Sequence, residues 1–235
     1  MPLDEYVYVG SELETFSHAR NWKDYWSGRL APYLRGLVLE VGAGLGANSA
    51  YLVTPEVSRI VCLEPDARLL RELRCSAPPN GAAREVLQGT LQDLNRDRTF
   101  DTIVYVDVLE HIEDDRAELA DAAARLRSGG DLVVLAPAFP ILYSEFDRAI
   151  GHHRRYTRSG LRALTPAGLD VRHVEYLDIL GAALSAANRL LLRGGTPTLG
   201  QITFWDRRIV PLSRFVDPLT RGIFGRSVFC VWQKR

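Results

Sequence analysis

Leu37-Val38-Leu39-Glu40-Val41-Gly42-Ala43-Gly44-Leu45-Gly46 decides how the rest of this 235-residue chain is read. Five residues rich in branched side chains form a short apolar run, and glycine at every second position after it stops the run. The stretch from Asn48 to Val53 then reads as helix, so the unit is strand, glycine-rich turn, helix. Without a Cβ, such a turn adopts left-handed backbone angles and brings main-chain N–H groups against a ligand at the carboxyl edge of a sheet.

The same rhythm recurs after that unit. Arg59 to Glu64 forms a second apolar run followed by a helix from Asp66 to Cys75, a short strand lies near Glu85 to Leu87, and a fourth runs from Asp101 to Val106 ahead of a helix from Glu113 to Arg127. Gly129-Gly130 reads as the cap of that helix and leads into a fifth strand, Asp131 to Ala136, which Pro137 ends. Strands alternating with helices predict a mostly parallel sheet, because right-handed crossovers place a helix between neighbouring parallel strands. Upstream, apolar and aromatic residues from Leu13 to Leu34 recur at steps of three and four and predict one N-terminal helix, broken near its end by Pro32. Downstream, a polar and aromatic loop runs to Thr157, followed by a helix near Arg158 to Leu164 and a strand near Leu169 to Tyr176. The mostly apolar stretch from Leu180 to Arg226 reads as a helical lid inserted before a last strand at Ser227 to Trp232. The expected fold is therefore α/β and Rossmann-like, a seven-stranded, mostly parallel sheet with flanking helices and that lid. It is organised as one domain over residues 1–235: an N-terminal helix over 1–36, a cofactor-binding core over 37–137, and a substrate-side loop, lid and last strands over 138–235.

Twenty-nine basic and 29 acidic side chains cancel, which removes any global electrostatic case for a nucleic-acid or anionic-membrane partner. The cysteines, Cys62, Cys75 and Cys230, are odd in number and lack C-x-x-C spacing, which predicts reduced thiols and a cytoplasmic protein. No basic region followed by an apolar stretch opens the chain, and it holds no run of about 18 apolar residues, so a soluble protein without signal peptide or transmembrane segment is expected.

Gly42-x-Gly44-x-x-Ala47 also satisfies the dinucleotide fingerprint, so an NAD(P)-dependent oxidoreductase is the alternative from another reaction class, and a non-catalytic cofactor-binding module is a third. Glu40 is expected to separate the first two. In a dinucleotide site a carboxylate at that strand position would be buried without a partner, at a cost on the order of several kcal/mol. Glu64 closes the second strand, 18 residues past Gly46, where a carboxylate accepts both ribose hydroxyls of either cofactor; the plainer alternative is that it caps the helix at Pro65-Asp66.

In order along the chain, four stretches resemble the motifs of class I S-adenosylmethionine-dependent methyltransferases. Leu37 to Gly46 is similar to their first motif, Cys62-Leu63-Glu64-Pro65-Asp66 to their acidic second-strand end, Phe100 to Ile112 to their fourth-strand motif, and Leu126-Arg127-Ser128-Gly129-Gly130 to the L-x-x-G-G entry to their fifth strand. The resemblance implies S-adenosylmethionine as cofactor, S-adenosylhomocysteine as product, and Glu40, Gly42, Gly44, Gly46, Glu64, Thr90, Leu91 and Asp107 as the binding residues. It sets Glu40 and Asp107 at the amino-acid end, Glu64 at the ribose, and Thr90 and Leu91 under the adenine, with Thr90 standing where an acidic residue is commoner.

The segment Asp147 to Thr157, written D-x-x-x-G-H-x-R-R-Y-T, resembles a bacterial subgroup linked to glycan and secondary metabolism, as do Phe204 to Leu212 and Gly225 to Phe229. The expected reaction is methyl transfer to a hydroxyl of a small molecule, a sugar or a lipid-like metabolite, with no nucleic acid as partner. His111 and His152 are the candidate catalytic residues, because an imidazole titrates near neutral pH and suits a hydroxyl proton. The alternative for His152 is to orient its loop through Asp147. Asp107-x-x-Glu110-His111 also resembles the E-x-x-E-H metal motif of certain metal-dependent O-methyltransferases, since groups at i, i+3 and i+4 face one way on a helical turn. The shorter Asp107 departs from that motif, so a metal-free role of the turn is preferred and a divalent cation is the other reading. Arg154-Arg155 reads either as a carboxylate or phosphate clamp or as an ordinary salt-bridged pair.

Overall fold

The computed structural model describes residues 6–10, 12–76, 82–191, 197–220 and 222–235. Its strands are β1 (Gly36–Val41), β2 (Val57–Glu64), β3 (Ala83–Gln88), β4 (Phe100–Val106), β5 (Leu126–Pro137), β6 (Leu169–Leu177) and β7 (Ser227–Lys234). They form one sheet in the order β3-β2-β1-β4-β5-β7-β6, parallel throughout except that β7 runs against both its neighbours. Helices α1 (Glu12–Ser17) and α2 (Arg20–Leu30) precede the sheet. Helices α3 (Ala67–Cys75), α4 (Asp115–Ala124), α5 (Glu145–Ala149) and α6 (Arg158–Ala163) lie between strands, and α7 (Ile179–Leu191), α8 (Leu199–Phe204) and α9 (Val210–Val216) separate β6 from β7. Trp205–Ile209 joins α8 to α9 as a π-helical turn. Among the described residues no helix is long and apolar enough to cross a membrane.

Alternation within the strands divides the core into two layers. Leu39, Val41, Ile103, Tyr105, Leu132 and Val134 face one side, covered by Leu119 of α4 and Leu161 of α6. Val38, Val104, Val133 and Leu135 face the other, covered by Trp22, Trp26 and Leu30 of α2 and by Ile202, Trp205 and Val210 of the lid. Each such side chain contributes about 1.5–3 kcal/mol when fully buried. The strand order reverses between β1 and β4, and this switch point opens a crevice at the carboxyl edge of the sheet.

The structure differs from the sequence reading in three places. The single helix over Leu13 to Leu34 is two, because the chain turns at His18-Ala19, where the Lys23 ammonium donates to the Ser17 carbonyl at 3.0 Å. Asn48 to Val53 holds only a 3-10 turn, Ser49–Leu52. The helix before the fifth strand ends at Ala124, so Gly129-Gly130 does not cap it but lies inside the longer β5, where the pairing with β4 shifts register. A Cβ at Gly130 would stand 2.9 Å from the carbonyls of Arg127 and Asp101, so close backbone approach is what that glycine serves. Of the lid glycines, Gly194-Gly195 lies outside the described residues.

β4, β5 and β6 run in one direction, and each is followed within two residues by a non-glycine in left-handed conformation: Asp107 (φ 54°), Phe139 (φ 61°) and Asp178 (φ 65°). All three lie on the edge that carries the glycine turn.

Candidate cofactor and acceptor site

Gly42, Gly44 and Gly46 take φ values of 67°, 56° and 77°, the left-handed angles that an L side chain rarely adopts. The N–H groups of Gly42 and Ala43 donate to the Leu63 carbonyl at 2.8 and 3.0 Å, which folds the turn back onto β2. The Glu64 carboxylate completes this link, accepting from Gly44 N and from Asp66 N, each at 2.8 Å. Burial pushes its carboxyl above the ordinary value, against those two hydrogen bonds. Asp66 caps α3 through the N–H of Arg68 and also accepts from Tyr8 N at 2.8 Å, which draws the segment before α1 across the crevice.

Beside the turn is a cavity of about 500 Å³ lined by Gly42, Gly44, Glu64, Thr90, Leu91 and Asp107, together with Tyr6, Tyr8, Leu69, Asp93 and His111. Small-molecule sites commonly measure about 300–1,000 Å³. Bare glycine backbone, a carboxylate at the end of β2 and an apolar floor fit the ribose, adenine and amino-acid parts of S-adenosylmethionine. Thr90 is tied to its own turn, its N–H and hydroxyl both donating to Asp93 at 2.8 and 2.7 Å. The acidic group absent at position 90 thus stands three residues later, in the cavity wall.

Two predicted cofactor residues sit elsewhere. Gly46 lines neither cavity; a Cβ there would fall 2.5 Å from Leu73, so it serves the packing of the turn on α3. Glu40 also lines neither, because the alternation of β1 points it into the layer beneath the turn, where Ser49 donates at 2.6 Å and the Cys62 thiol at 3.4 Å. Burial raises its carboxyl to about 7. These partners remove the argument that a carboxylate here would be orphaned in a dinucleotide site.

A second cavity, of about 180 Å³, lies across the turn, walled by Phe16, Trp22, Trp26, Phe146, Ile150 and Trp205, with Lys23, Glu110, His152 and Arg226 as its polar groups. Burial lowers the Lys23 ammonium to about 8. The Arg226 guanidinium lies over Trp205 at 4.2 Å, so an aromatic face supports the cation. Gly42, Gly44, Tyr8, Asp107 and His111 border both cavities. Asp107 is exposed and opens on both of them, and desolvation by the surrounding walls pushes its carboxyl above the usual range.

His111 and His152 meet at that border, their rings 4.5 Å apart and nearly perpendicular. The Nδ1 of His152 hydrogen-bonds Asp147 at 3.0 Å, as the loop-orienting alternative expected. Asp147 is itself fixed by a two-pronged Arg155 contact at 2.8 and 2.9 Å and by the Ser144 hydroxyl at 2.7 Å, part of the cap of α5. Burial alone would raise the Asp147 carboxyl, but the bonds from His152 and Arg155 outweigh it and hold it well below the carboxylate range. Burial, then the neighbouring His152, lowers the His111 imidazole to about 3. Glu110 is fully buried and neither of its carboxylate oxygens has a hydrogen-bond partner, so burial and the nearby Asp107 push its carboxyl far upward. The paired arginines resolve to internal ion pairs, Arg154 with Asp115 and Arg155 with Asp147, each at 2.8 Å. Tyr8, Lys23 and Asp93 carry no sequence motif, and Arg226 falls in the Gly225 to Phe229 resemblance without a role assigned to it.

A glycine turn, a carboxylate at the next strand end and a cavity at the switch point define a Rossmann-like domain for a nucleoside cofactor. Residues 39–134 match the family described as "Methyltransferase domain". The ribosomal RNA small subunit methyltransferase C of Klebsiella pneumoniae is 30% identical over 138 residues, 56% of this chain and 40% of that protein. The chain thus spans well under half the length of the curated relatives it matches. The S-adenosylmethionine-dependent methyltransferase of Mesorhizobium loti has the same fold, with a TM-score of 0.59 at 16% identity over 89% of this chain and 96% of its own. Mitomycin 7-O-methyltransferase superposes with a TM-score of 0.59 at 14% identity, over 92% of this chain and 54% of its own. Over residues 39–134 the chain is thus similar to this methyltransferase domain, its fold is the one that class I S-adenosylmethionine-dependent methyltransferases share, and S-adenosylmethionine is the cofactor these findings support.

Proposed function

We propose that the chain transfers a methyl group to a hydroxyl of a small-molecule, sugar or lipid-like acceptor. The observation that carries this reading is the junction of the two cavities at Asp107 and His111, with His152 alongside. The cofactor, when bound, supplies an electrophilic methyl on a sulfonium sulfur. Backbone of Gly42 and Gly44 cradles it, Glu64 holds the ribose, Leu91 and the Thr90 to Asp93 turn pack against the adenine, and Asp107 meets the amino-acid end. Aromatic walls from Phe16, Trp22, Trp26 and Trp205 exclude water and hold the acceptor in line. The acceptor oxygen would be placed at the His111 and His152 pair, where an imidazole would take its proton as the oxygen receives the methyl group. A cytoplasmic setting belongs to the same proposal, supported by Cys62, Cys75 and Cys230, which are all free thiols.

Two titrations and one transfer assay test this. S-adenosylhomocysteine should bind and NAD should not; the reverse would make the chain an oxidoreductase. Radiolabel from the methyl group should enter the small-molecule or lipid extract of a cell lysate, and transfer to none of its fractions would leave a non-catalytic module. An RNA acceptor is the second reading, favoured by the name of the curated relatives, and label confined to RNA would establish it. His152→Ala should lower turnover about a hundredfold with cofactor affinity intact.

A further inference from the structure

We propose that Glu110, His111 and His152 form a binding site for one divalent transition-metal cation. The site's existence is independent of the methyl-transfer reading; the cation's effect on an acceptor rests on that reading.

One ligand atom from each of the three residues lies within 4.8 Å of the others, and Nε2 of His152 stands 3.8 Å from Oε1 of Glu110. Donors held at about 2.0–2.2 Å from a common ion stand roughly 3–4 Å apart, so a small inward movement completes the set. The Glu110 carboxylate is the second, independent observation. It is 0% exposed, both oxygens lack a hydrogen-bond partner, and its own backbone carbonyl is held by His153 N at 2.8 Å. A buried carboxylate left so costs folding free energy that a cation returns.

The His152 imidazole is also held from behind: Asp147 takes its Nδ1, which leaves Nε2 facing Glu110. Ligating histidines nearly always pass their other N–H to a carboxylate or a backbone carbonyl, and here the carboxylate is anchored in turn by Arg155 and Ser144. Two imidazoles and one carboxylate select zinc, manganese, iron(II) or cobalt over magnesium or calcium. Three protein ligands leave positions open, and all three residues line the smaller cavity, so the open side faces the acceptor. A hydroxyl bound there loses its proton to solvent more readily, and its oxygen then takes the methyl group as the carbon–sulfur bond breaks. His111 and His152 act in this arrangement as ligands. The set is not the Asp107, Glu110 and His111 group of the sequence reading: Asp107, at a left-handed φ of 54°, is not among the three donors, and the third arrives from the loop before α6.

The full chain, stripped with chelator and dialysed, is titrated with cobalt(II) by visible absorption and with zinc and manganese by calorimetry. One equivalent should bind, with ligand-field bands for cobalt. Glu110→Gln and His152→Ala should each weaken it at least tenfold, and Asp147→Asn, which leaves all three ligands in place, about 10–100-fold. Thermal melts and S-adenosylhomocysteine binding on the same samples report the fold of each variant. Absence of any stoichiometric binding, or binding unchanged in all three folded variants, overturns the site. Chelated protein that binds S-adenosylhomocysteine, takes up no cation and still methylates an acceptor removes this inference and leaves the proposed function standing. Cation uptake without S-adenosylhomocysteine binding does the opposite.

Discussion

The cavity on the cofactor side of the glycine turn is framed by the ends of β1, β2, β3 and β4, and the carboxylates away from its border with the other cavity are met by backbone or nearby hydroxyls: Glu64 by Gly44 N and Asp66 N, Asp93 by Thr90. The cavity on the acceptor side is assembled from α1, α2, the loop that holds α5, and the lid, and it contains a carboxylate, Glu110, that nothing satisfies. Away from Asp107, the first region has its polar groups paired before any ligand arrives. The second is built around a group that needs one. A site that must hold the same cofactor in every turnover gains when its polar groups are already satisfied, whereas a site that activates an acceptor keeps reactive ones uncommitted.

The largest effect that would break this contrast lies in the turn itself. Gly44→Val places a branched side chain at φ 56° and into both cavities, so affinity for S-adenosylhomocysteine should fall at least a hundredfold by calorimetry while the protein still melts cooperatively. Retained affinity would mean that the ligand never approaches this backbone. Glu64→Ala should cost about 1.5–3 kcal/mol of the same binding, the scale of hydrogen bonds to a charged group, and adenosine should lose affinity in parallel. A loss for S-adenosylhomocysteine without one for adenosine would move Glu64 away from the ribose.

On the acceptor side, Asp147→Asn should lower turnover about tenfold or more and leave S-adenosylhomocysteine affinity unchanged, because Asp147 acts through His152. Equal losses in both measurements would show the two regions to be one mechanical unit. The smallest effect concerns Glu40. Its carboxyl is raised from 4.5 to about 7 in the folded protein, so the native state binds the proton more tightly, and the stability this gives is full below about pH 4.5 and lost as pH rises through about 7. Denaturation of Glu40→Gln should therefore show a gain relative to the parent from pH 5 to 8. A pH-independent difference would mean that Ser49 and Cys62 hold Glu40 charged throughout.

What was legible in the sequence follows the same division. The glycine turn, Glu64 and the strand ends are local: apolar runs, a stop signal and a spacing fix them within a few residues, and the mostly parallel seven-stranded sheet with its helical insertion before β7 came with them, though not the strand order. The errors on this side arise where tertiary packing overrides local signals, as when Gly129-Gly130 serves a close strand approach rather than a helix cap. On the acceptor side Tyr8, Lys23 and Arg226 come from segments remote from one another in sequence, and neither the periodicity around Lys23 nor the resemblance around Arg226 says that they meet. The bond from His152 to Asp147 was readable because both residues belong to one loop. The third partner of Glu110 and His111 was not, because the i, i+3, i+4 argument assumed helical backbone at Asp107, whose left-handed angle breaks it.

Asp107, Phe139 and Asp178 give this edge of the sheet a property of its own. An L residue held in the left-handed region costs roughly 1–2 kcal/mol, and three successive parallel strands each end on one. Phe139 stacks on Tyr176 with ring centroids 4.6 Å apart, Asp178 accepts from the Trp205 indole at 2.7 Å, and Asp107 opens on both cavities. Glycine at any of the three would relax the backbone and delete the side chain. The protein therefore carries a standing conflict between durability and chemistry, and selection for thermostability alone should erode the side-chain framework along this edge.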